Sequence, residues 1–352
     1  MIGLSRKHKG DNEMKILLTG SNNKQCGVAK VHTKKIFDSN NLFNMMKTFA
    51  DVDFKKIDKD TDFSSYDICV VGLGSLGSFN YADVMHAFYI LGKTNNAVMF
   101  LEDWRIPKTV AALKSTIAKG YDEFLNKTFN KKLSSGDRFY HGTEWLDPEV
   151  CWNGIDKLAN HADEVQFLMP GFAWGDKKIV ADIINTKLEN IHWFDQTPIL
   201  MEIYDIKDIP FNPNRNKKYL YCGLSNQDQW LKKCGISEIT DRFGHSPYEK
   251  LESETDVNQK HNEYFGIAVP KYYHAGSGWF RMRYIYSAMA KNVMYIADED
   301  AQALGIPSLK TLDVDISIIE KTANDIYSKV KSYIPTKEES ISHLKDELMK
   351  CC

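Results

Sequence analysis

Short apolar segments that end in turn residues recur along the chain, and stretches with helical periodicity separate them. In the first half these segments are residues 15–18, 67–71, 97–101 and 165–169. Continuous apolar segments are typical of strands buried on both faces, and strands that alternate with helices imply βαβ units. The pattern therefore predicts a parallel sheet covered by helices in the first half of the chain.

The same rhythm restarts after a turn-rich segment, residues 209–216, that contains two prolines. The apolar segments of the second half are residues 219–222, 266–269 and 293–296. Because 352 residues are enough for two domains, we expect an α/β protein with two facing Rossmann-like domains and a central cleft. The predicted divisions are a flexible head at 1–13, an N-terminal domain at 14–205 and a C-terminal domain at 206–334.

Residues 335–352 are predicted to form a final helix. Thr336 is suited to be its N-cap, and Glu339 three residues later completes a capping box. Leu344 and Leu348 then fall on one apolar face, which needs a surface to cover. We expect this helix to cross back and pack on the N-terminal domain.

Composition restricts the partners. The net charge is −2, so a nucleic acid would have to be held by a local basic patch and not by the charge of the whole protein. Seven cysteines without a CxxC pair indicate reduced thiols in the cytoplasm and argue against cysteine ligation of a metal. Apolar runs reach about six residues, against roughly 20 for a membrane span, and the polar residues 1–13 do not resemble a signal peptide.

A GxGxxG pattern, Gly72 to Gly77, directly follows a predicted strand. In a dinucleotide-binding fold such glycines let the backbone approach a pyrophosphate at a helix N-terminus. Here the strand is not the first, and no acidic residue closes a second strand about 20 residues on. A glycine loop that lines a cleft at the carboxyl ends of the strands is the favoured interpretation.

Two other loops in the first half of the chain contain candidate residues. The loop from Gly20 to Lys30 has backbone amides that can bind phosphate or sugar oxygens, although an ordinary βα turn has the same appearance. Glu102 and Asp103 follow a buried strand, where a carboxylate can act as a general base. A helix N-cap or a surface ion pair with Arg105 is the alternative there.

In the second half, polar residues again follow the predicted strands. Gly223 begins one such loop, and His245 lies in another, where a structural histidine is the common case. Arg283 stands near a predicted helix start, where a guanidinium matches two diphosphate oxygens, unless it is simply solvated.

Several of these stretches resemble the DNA glucosyltransferases of T-even bacteriophages. Residues 100–107, 243–245 and 283–299 are similar to the β-type enzyme, and the loop at 26–30 is closer to the α-type. The resemblance runs from Met14 onward in the same order. It implies the two-domain glycosyltransferase fold called GT-B, and the transfer of glucose from UDP-glucose to 5-hydroxymethylcytosine in duplex DNA.

The resemblance also implies roles for individual residues. Asp103 falls on the catalytic base, and Arg283 falls on an arginine that binds the donor diphosphate. The implied donor-binding residues are Gly27, Lys30, Gly223, Ser225, Asn226, Phe243, His245, Arg283 and Tyr286. The implied DNA and acceptor residues are Gly74, Ser75, Trp104, Arg105, Lys108, Lys131 and Lys132.

Two departures from the family leave the transferred sugar open between glucose and a pentose such as arabinose. Asn226 and Trp230 stand in a loop where the β-type enzyme has two arginines, and Tyr286 replaces a glutamate that holds the ribose.

The implied reaction is a direct displacement on a UDP-sugar, with the target base flipped out of the duplex. The implied setting is a monomer in the host cytoplasm during phage infection, where the modification protects phage DNA from host nucleases. Magnesium or manganese would assist UDP release without being needed for catalysis. Two alternatives remain: a GT-B enzyme acting on a small molecule, glycan or lipid, and an NAD-dependent oxidoreductase that uses the 72–77 glycines.

Overall fold

A computed structural model of the chain describes residues 14–20, 41–55, 57–72, 81–101, 106–130, 145–170, 177–203, 205–223, 228–244, 254–269 and 282–352. These residues form an α/β protein with two parallel sheets, one of six strands and one of four. The expected fold class is confirmed.

The first sheet has the strand order β2-β1-β3-β4-β5-β6, and every pairing is parallel. Its strands are β1 (Lys15–Gly20), β2 (Asp51–Phe54), β3 (Ile68–Gly72), β4 (Ala97–Phe100), β5 (Gln166–Pro170) and β6 (Ile191–Phe194). Four of them, β1, β3, β4 and β5, coincide with the predicted apolar segments. Every residue of β3 and β4 is buried, as expected for strands covered on both faces.

Helices cover both faces of this sheet. They are α1 (Asn41–Met46), α2 (Tyr81–Lys93), α3 (Ile106–Lys119), α4 (Tyr121–Phe124), α5 (Pro148–Asn160), α6 (Lys177–Ile184) and α7 (Thr197–Ile203). Successive side chains of β1 divide between two apolar cores: Leu17 joins the core under α2 and α5, and Ile16 and Leu18 join the core that contains α1.

Helices α2 and α5 pack with their backbones in close approach. A β-carbon on Gly154 would lie 1.9 Å from the carbonyl oxygen of Phe88, and one on Gly92 would lie 2.0 Å from that of Val150. Only glycine fits at either position, since real β-carbons do not approach other atoms within 3.0 Å.

The second sheet has the order β10-β9-β7-β8 and is also parallel. Its strands are β7 (Asn216–Gly223), β8 (Thr240–Gly244), β9 (Tyr264–Ala268) and β10 (Val293–Tyr295). The helices of this half are α8 (Asp228–Lys233), α9 (Glu254–Asn262), α10 (Met282–Met289), α11 (Asp298–Leu304) and α12 (Ile316–Lys331). Residues 206–215 carry the chain between the sheets without a helix or strand.

The last helix, α13 (Lys337–Met349), crosses back to the first sheet as expected. The Glu339 amide donates to the Thr336 hydroxyl at 3.2 Å, and the Thr336 amide donates to the Glu339 carboxylate at 2.8 Å, so the capping box is present. Leu344 and Leu348 are fully buried in the core that contains α1.

A buried polar contact also joins α13 to the sheet. The Nδ1 atom of His192 on β6 lies 3.1 Å from Oε2 of Glu347, and its Nε2 atom lies 2.7 Å from Oε1 of Gln166. Both His192 and Glu347 have at most 5% of their side chains exposed. Burial lowers the pKa of His192. The Lys350 ammonium lies 2.6 Å from Oε1 of Glu347 and balances the charge of that carboxylate.

The six cysteines within the described ranges are free thiols. In the same ranges, no helix combines the length and the apolar character that a membrane crossing requires.

Candidate functional site

All strands of each sheet are parallel, so their carboxyl ends lie along one edge, which is where ligands bind in open α/β sheets. In the first sheet this edge is formed by Gly20, Gly72, Phe100, Pro170 and Phe194. In the second sheet Gly223 pairs in register with Gly244, so β7 and β8 end side by side. The predicted site residues belong to segments that follow these ends.

Arg283 is the second residue of α10, and its guanidinium carbon lies 5.7 Å from the ring centre of Tyr221. Tyr221 is on β7, two residues before Gly223. The structure thus brings Arg283 to the carboxyl end of β7, at a helix N-terminus. The positive end of the helix dipole and a planar cation there together favour an anion.

No hydrogen bond or ion pair engages the Arg283 guanidinium within the part of the chain that the structure describes. It is half-buried. A guanidinium held by an aromatic face is able to bind two oxygens of a diphosphate.

Phe243 stands at the end of β8, opposite Cys222 of β7. Its ring centre lies 6.4 Å from that of Tyr264, edge to face, and the Lys260 ammonium is 4.8 Å from the Phe243 ring centre. Phe243 is therefore a half-buried aromatic surface next to Gly244, at the same edge as Gly223.

Tyr286 lies one helical turn after Arg283, on the same face of α10. It is 5% exposed, and its ring centre lies 5.6 Å from that of His261. Burial and the nearby charge of Arg283 lower the pKa of His261 to about 3, so this histidine is neutral. The sequence contained no signal for His261, which follows a polar helical stretch.

Asp195 is a second residue that sequence reasoning missed. It follows directly after β6, and its Oδ1 atom accepts a hydrogen bond from the Thr197 amide at 2.8 Å. Burial raises the pKa of Asp195 to about 6. A carboxyl group with such a pKa can exchange a proton near neutral pH. The sequence pattern did not predict β6, because His192 interrupts its apolar run. Asp195 was therefore not recognised as a residue at a strand end.

Most of the predicted site residues lie outside the described residues. They are Gly27, Lys30, Gly74, Ser75, Asp103, Trp104, Arg105, Lys131, Lys132, Ser225, Asn226 and His245. The chain leaves β4 at Leu101, two residues before Asp103, and Lys108 lies in the first turn of α3.

Three further lysines stand between the implied DNA residues Lys108 and Lys131. Lys114 and Lys119 are exposed on α3. Lys127, in the π-helical turn Leu125–Asn130 after α4, pairs with Glu123.

Gly72, the first glycine of the GxGxxG pattern, is the last residue of β3, the third strand along the chain, and residues 73–80 lie outside the described residues. A dinucleotide fingerprint follows the first strand and opens the helix at once. The position after the third strand differs from that of a dinucleotide fingerprint, and the cleft-lining loop stays a prediction.

Within the described residues, no group of three or more His, Cys, Asp or Glu side chains is placed to hold a metal ion. No step of the proposed reaction is assigned to a metal.

Comparison with known proteins supports the fold. No protein-family model and no curated protein sequence matches the chain. Among solved structures, the chain is similar to a DNA-modifying β-glucosyltransferase studied with and without its substrate uridine diphosphoglucose. The TM-score is 0.53 and the identity 12%, over 96% of this chain and 99% of that one.

The chain is also similar to the BGT of T4 phage bound to UDP and Mn2+, with a TM-score of 0.52 and 13% identity, over 95% of this chain and 99% of the other. At these identities the likeness establishes the fold alone. The protein therefore has the two-sheet α/β fold of a phage β-glucosyltransferase, the arrangement called GT-B.

Proposed function

We propose that the protein is a glycosyltransferase that moves a sugar from a UDP-sugar to the hydroxymethyl group of 5-hydroxymethylcytosine in duplex DNA. The observation that carries the proposal is Arg283, at the N-terminus of α10 and over Tyr221 beside the end of β7. The shared fold with a DNA-modifying enzyme that uses uridine diphosphoglucose supports it. The sugar is glucose or a pentose such as arabinose.

The donor binds to the second half of the chain, residues 206–334, and the DNA to residues 14–205. Arg283 and the amides after Gly223 and Gly244 hold the diphosphate, with Phe243 and Tyr286 nearby. Ser225, Asn226 and His245 complete the donor contacts from the second half, and Gly27 and Lys30 add contacts from the first.

The reaction is a displacement at the anomeric carbon of the sugar. Asp103 takes the proton of the hydroxymethyl group, whose oxygen forms the new bond to the anomeric carbon. The bond from that carbon to the diphosphate oxygen breaks, and its electron pair leaves with UDP. Arg283 stabilises the negative charge that develops on the diphosphate. The target base is flipped from the duplex, because its hydroxymethyl group cannot otherwise reach a cleft.

DNA contacts come from Gly74, Ser75, Trp104, Arg105, Lys108, Lys131 and Lys132. Lysine contacts to phosphates supply affinity and its salt dependence without reading the sequence. The protein acts as a monomer, and the modification shields phage DNA from host nucleases.

The test is sugar transfer from radiolabelled UDP-glucose and UDP-arabinose to two matched duplexes, one with 5-hydroxymethylcytosine and one with cytosine. We expect label on the first duplex only. Label found only on glycan, lipid or small-molecule acceptors would refute the DNA acceptor and favour the alternative GT-B activity. Reduction of NAD by a hydroxy-substrate, without transfer, would refute the whole proposal.

Two variants test the assigned roles. Arg283→Met should weaken UDP binding at least tenfold, the loss of a strong charge-assisted contact, and Lys321→Met, at an exposed position on α12, should not. Asp103→Asn should abolish transfer and leave UDP binding unchanged. Normal turnover of Asp103→Asn would remove that residue from its role.

A further inference from the structure

The segment that crosses from the first sheet to the second, residues 205–215, is bonded to the C-terminal end of α10. The Ile209 amide donates to the Met289 carbonyl at 3.1 Å. The last carbonyls of a helix have no partner within the helix, so an outside donor satisfies an otherwise open group.

Arg215 also bonds the crossing segment to the C-terminal end of α10, here through a charged side chain. Its Nη1 atom donates to the Ala290 carbonyl at 2.5 Å and to the Lys291 carbonyl at 3.3 Å. The Arg215 side chain is buried. A cation at the C-terminal end of a helix is stabilised by the helix dipole, which strengthens the attachment of the crossing segment to α10.

Asp208 also connects this end of α10 to the end of α12, from which the chain makes its second crossing, back to the first sheet, through residues 332–336. Its Oδ1 atom lies 2.8 Å from the Lys291 ammonium, and its Oδ2 atom accepts a hydrogen bond from the Tyr327 hydroxyl. The Lys331 ammonium lies 3.4 Å from the same Oδ2 atom. Tyr327 and Lys331 are in the last turns of α12, just before residues 332–336 return to the first sheet. We call Asp208, Lys291, Tyr327 and Lys331 the crossing cluster.

The Asp208 side chain is 43% exposed, and its contacts stabilise the charged form of the carboxyl group. Burial alone would raise its pKa, but the hydrogen bonds from Lys291 and Tyr327 outweigh burial and lower the pKa. The carboxylate is therefore ionised at neutral pH. The Lys291 side chain is only 9% exposed, so it depends on Asp208 as its counter-ion.

The other end of α10 holds Arg283. The helix has eight residues and is about 12 Å long, so a shift at one end moves the other. Leu200 of α7 and Ile206 of the crossing segment share an apolar core with α10 residues such as Ile285. The crossing segment and the helix that presents Arg283 are thus packed and bonded as one unit.

We propose that Asp208 is a positioning residue for the donor site, which fixes the C-terminal end of α10 to both chain crossings and thereby sets the position of Arg283. The inference rests on the proposed function, because it requires that Arg283 binds the donor diphosphate. It predicts that any movement of one sheet relative to the other changes donor affinity through the crossing cluster. Asp208 itself does not touch the donor.

The test is a double-mutant cycle on UDP affinity, measured by isothermal titration calorimetry with the full chain. Asp208→Asn preserves the shape of the side chain and removes its charge. It should raise the Kd for UDP on the order of tenfold, since small misplacements of a binding group have effects of this size or larger. In the Arg283→Met background the same change should have less than about a twofold effect, because Asp208 acts through Arg283.

Two further variants serve as rescue and control. Asp208→Glu keeps the charge and should recover part of the affinity. Glu202→Gln removes the carboxylate of a residue on α7. That carboxylate lies 2.8 Å from the Lys337 ammonium on α13 and is not part of the crossing cluster. Its Kd for UDP should equal that of the wild type.

An equal loss of affinity in both backgrounds, or no loss in the folded Asp208→Asn protein, would overturn the proposal while leaving the proposed function intact. If the wild type does not bind UDP, the proposed function and this inference fail together. Should Asp208→Asn not fold by circular dichroism, Lys331→Met decides in the same cycle. That variant removes only the outer partner and should raise the Kd severalfold when Arg283 is present.

Discussion

Replacement of Gly154 by alanine distinguishes local from tertiary effects by the sign of the stability change. Gly154 lies inside α5, and alanine is better than glycine in a helix interior by about 1 kcal/mol. Helix propensity alone therefore predicts stabilisation. In the folded protein, however, the new β-carbon would lie 1.9 Å from the carbonyl oxygen of Phe88 and 2.7 Å from its carbonyl carbon.

The magnitude follows from this contact. The obstacle is backbone, so α2 and α5 must separate by about 1 Å, and a gap of that size forfeits a quarter to a half of the dispersion energy of the contacts it opens. Gly92 makes the reciprocal approach, since a β-carbon there would lie 2.0 Å from the Val150 oxygen, so sliding along the helix is blocked as well. Overpacking costs about 1–3 kcal/mol, and the upper end applies. After the gain in propensity, the net loss should be about 2 kcal/mol.

The assay is urea unfolding followed by circular dichroism, with Asn153→Ala as the control. Asn153 is the exposed neighbour on the same helix, where alanine should stabilise by a few tenths of a kcal/mol. Gly154→Ala should lower the free energy of unfolding by about 2 kcal/mol. A Gly154→Ala protein as stable as the wild type, or more so, would refute the close approach of α2 and α5.

Three other changes test the cap of α13, the burial of Leu344 and the raised pKa of Asp195. Thr336→Ala removes the N-cap of α13 and should cost about 1 kcal/mol in urea unfolding; an unchanged midpoint would contradict the capping box. Leu344→Ala should cost about 2–5 kcal/mol, and a loss below about 1 kcal/mol would show that α13 does not bury this side chain. The pKa of Asp195 is raised from 3.8 to about 6 on folding, so its contribution is present below pH 4 and is lost as the pH rises through 6. The excess stability of the wild type over Asp195→Asn should fall by about 2 kcal/mol from pH 4 to pH 7, and a constant difference would contradict the raised pKa.

The strands that the sequence did not predict are all at sheet edges. β2, β6 and β8 end the strand orders, and each contains polar residues, such as Asp51, His192 and Asp241. An edge strand pairs on one side only, and its polar groups can find water or a covering element. The continuous apolar pattern that identifies a central strand is therefore absent from these three.

For the candidate site, the sequence was informative where a residue type and a strand end coincide. Arg283 and Gly223 were predicted on that basis, and the structure brings them to the same edge of the second sheet. Asp195 and His261 were missed, because neither belongs to a pattern of neighbouring residues. Their pKa values depend on burial by distant parts of the chain.

By itself the sequence determined features that act over a few residues. Among these are the parallel strands β1, β3, β4 and β5 and the capping box at Thr336. Apolar periodicity and side-chain caps operate between near neighbours, so they can be recognised without the fold. Only the tertiary structure decided that Glu347 satisfies His192, 155 positions away, and that Asp208 meets Tyr327, 119 positions away. The His192–Glu347 pair forms because packing excludes water and leaves each buried polar group dependent on the partner that the fold places beside it. The Asp208–Tyr327 pair is more exposed, and it forms because the fold brings the crossing segment next to the end of α12.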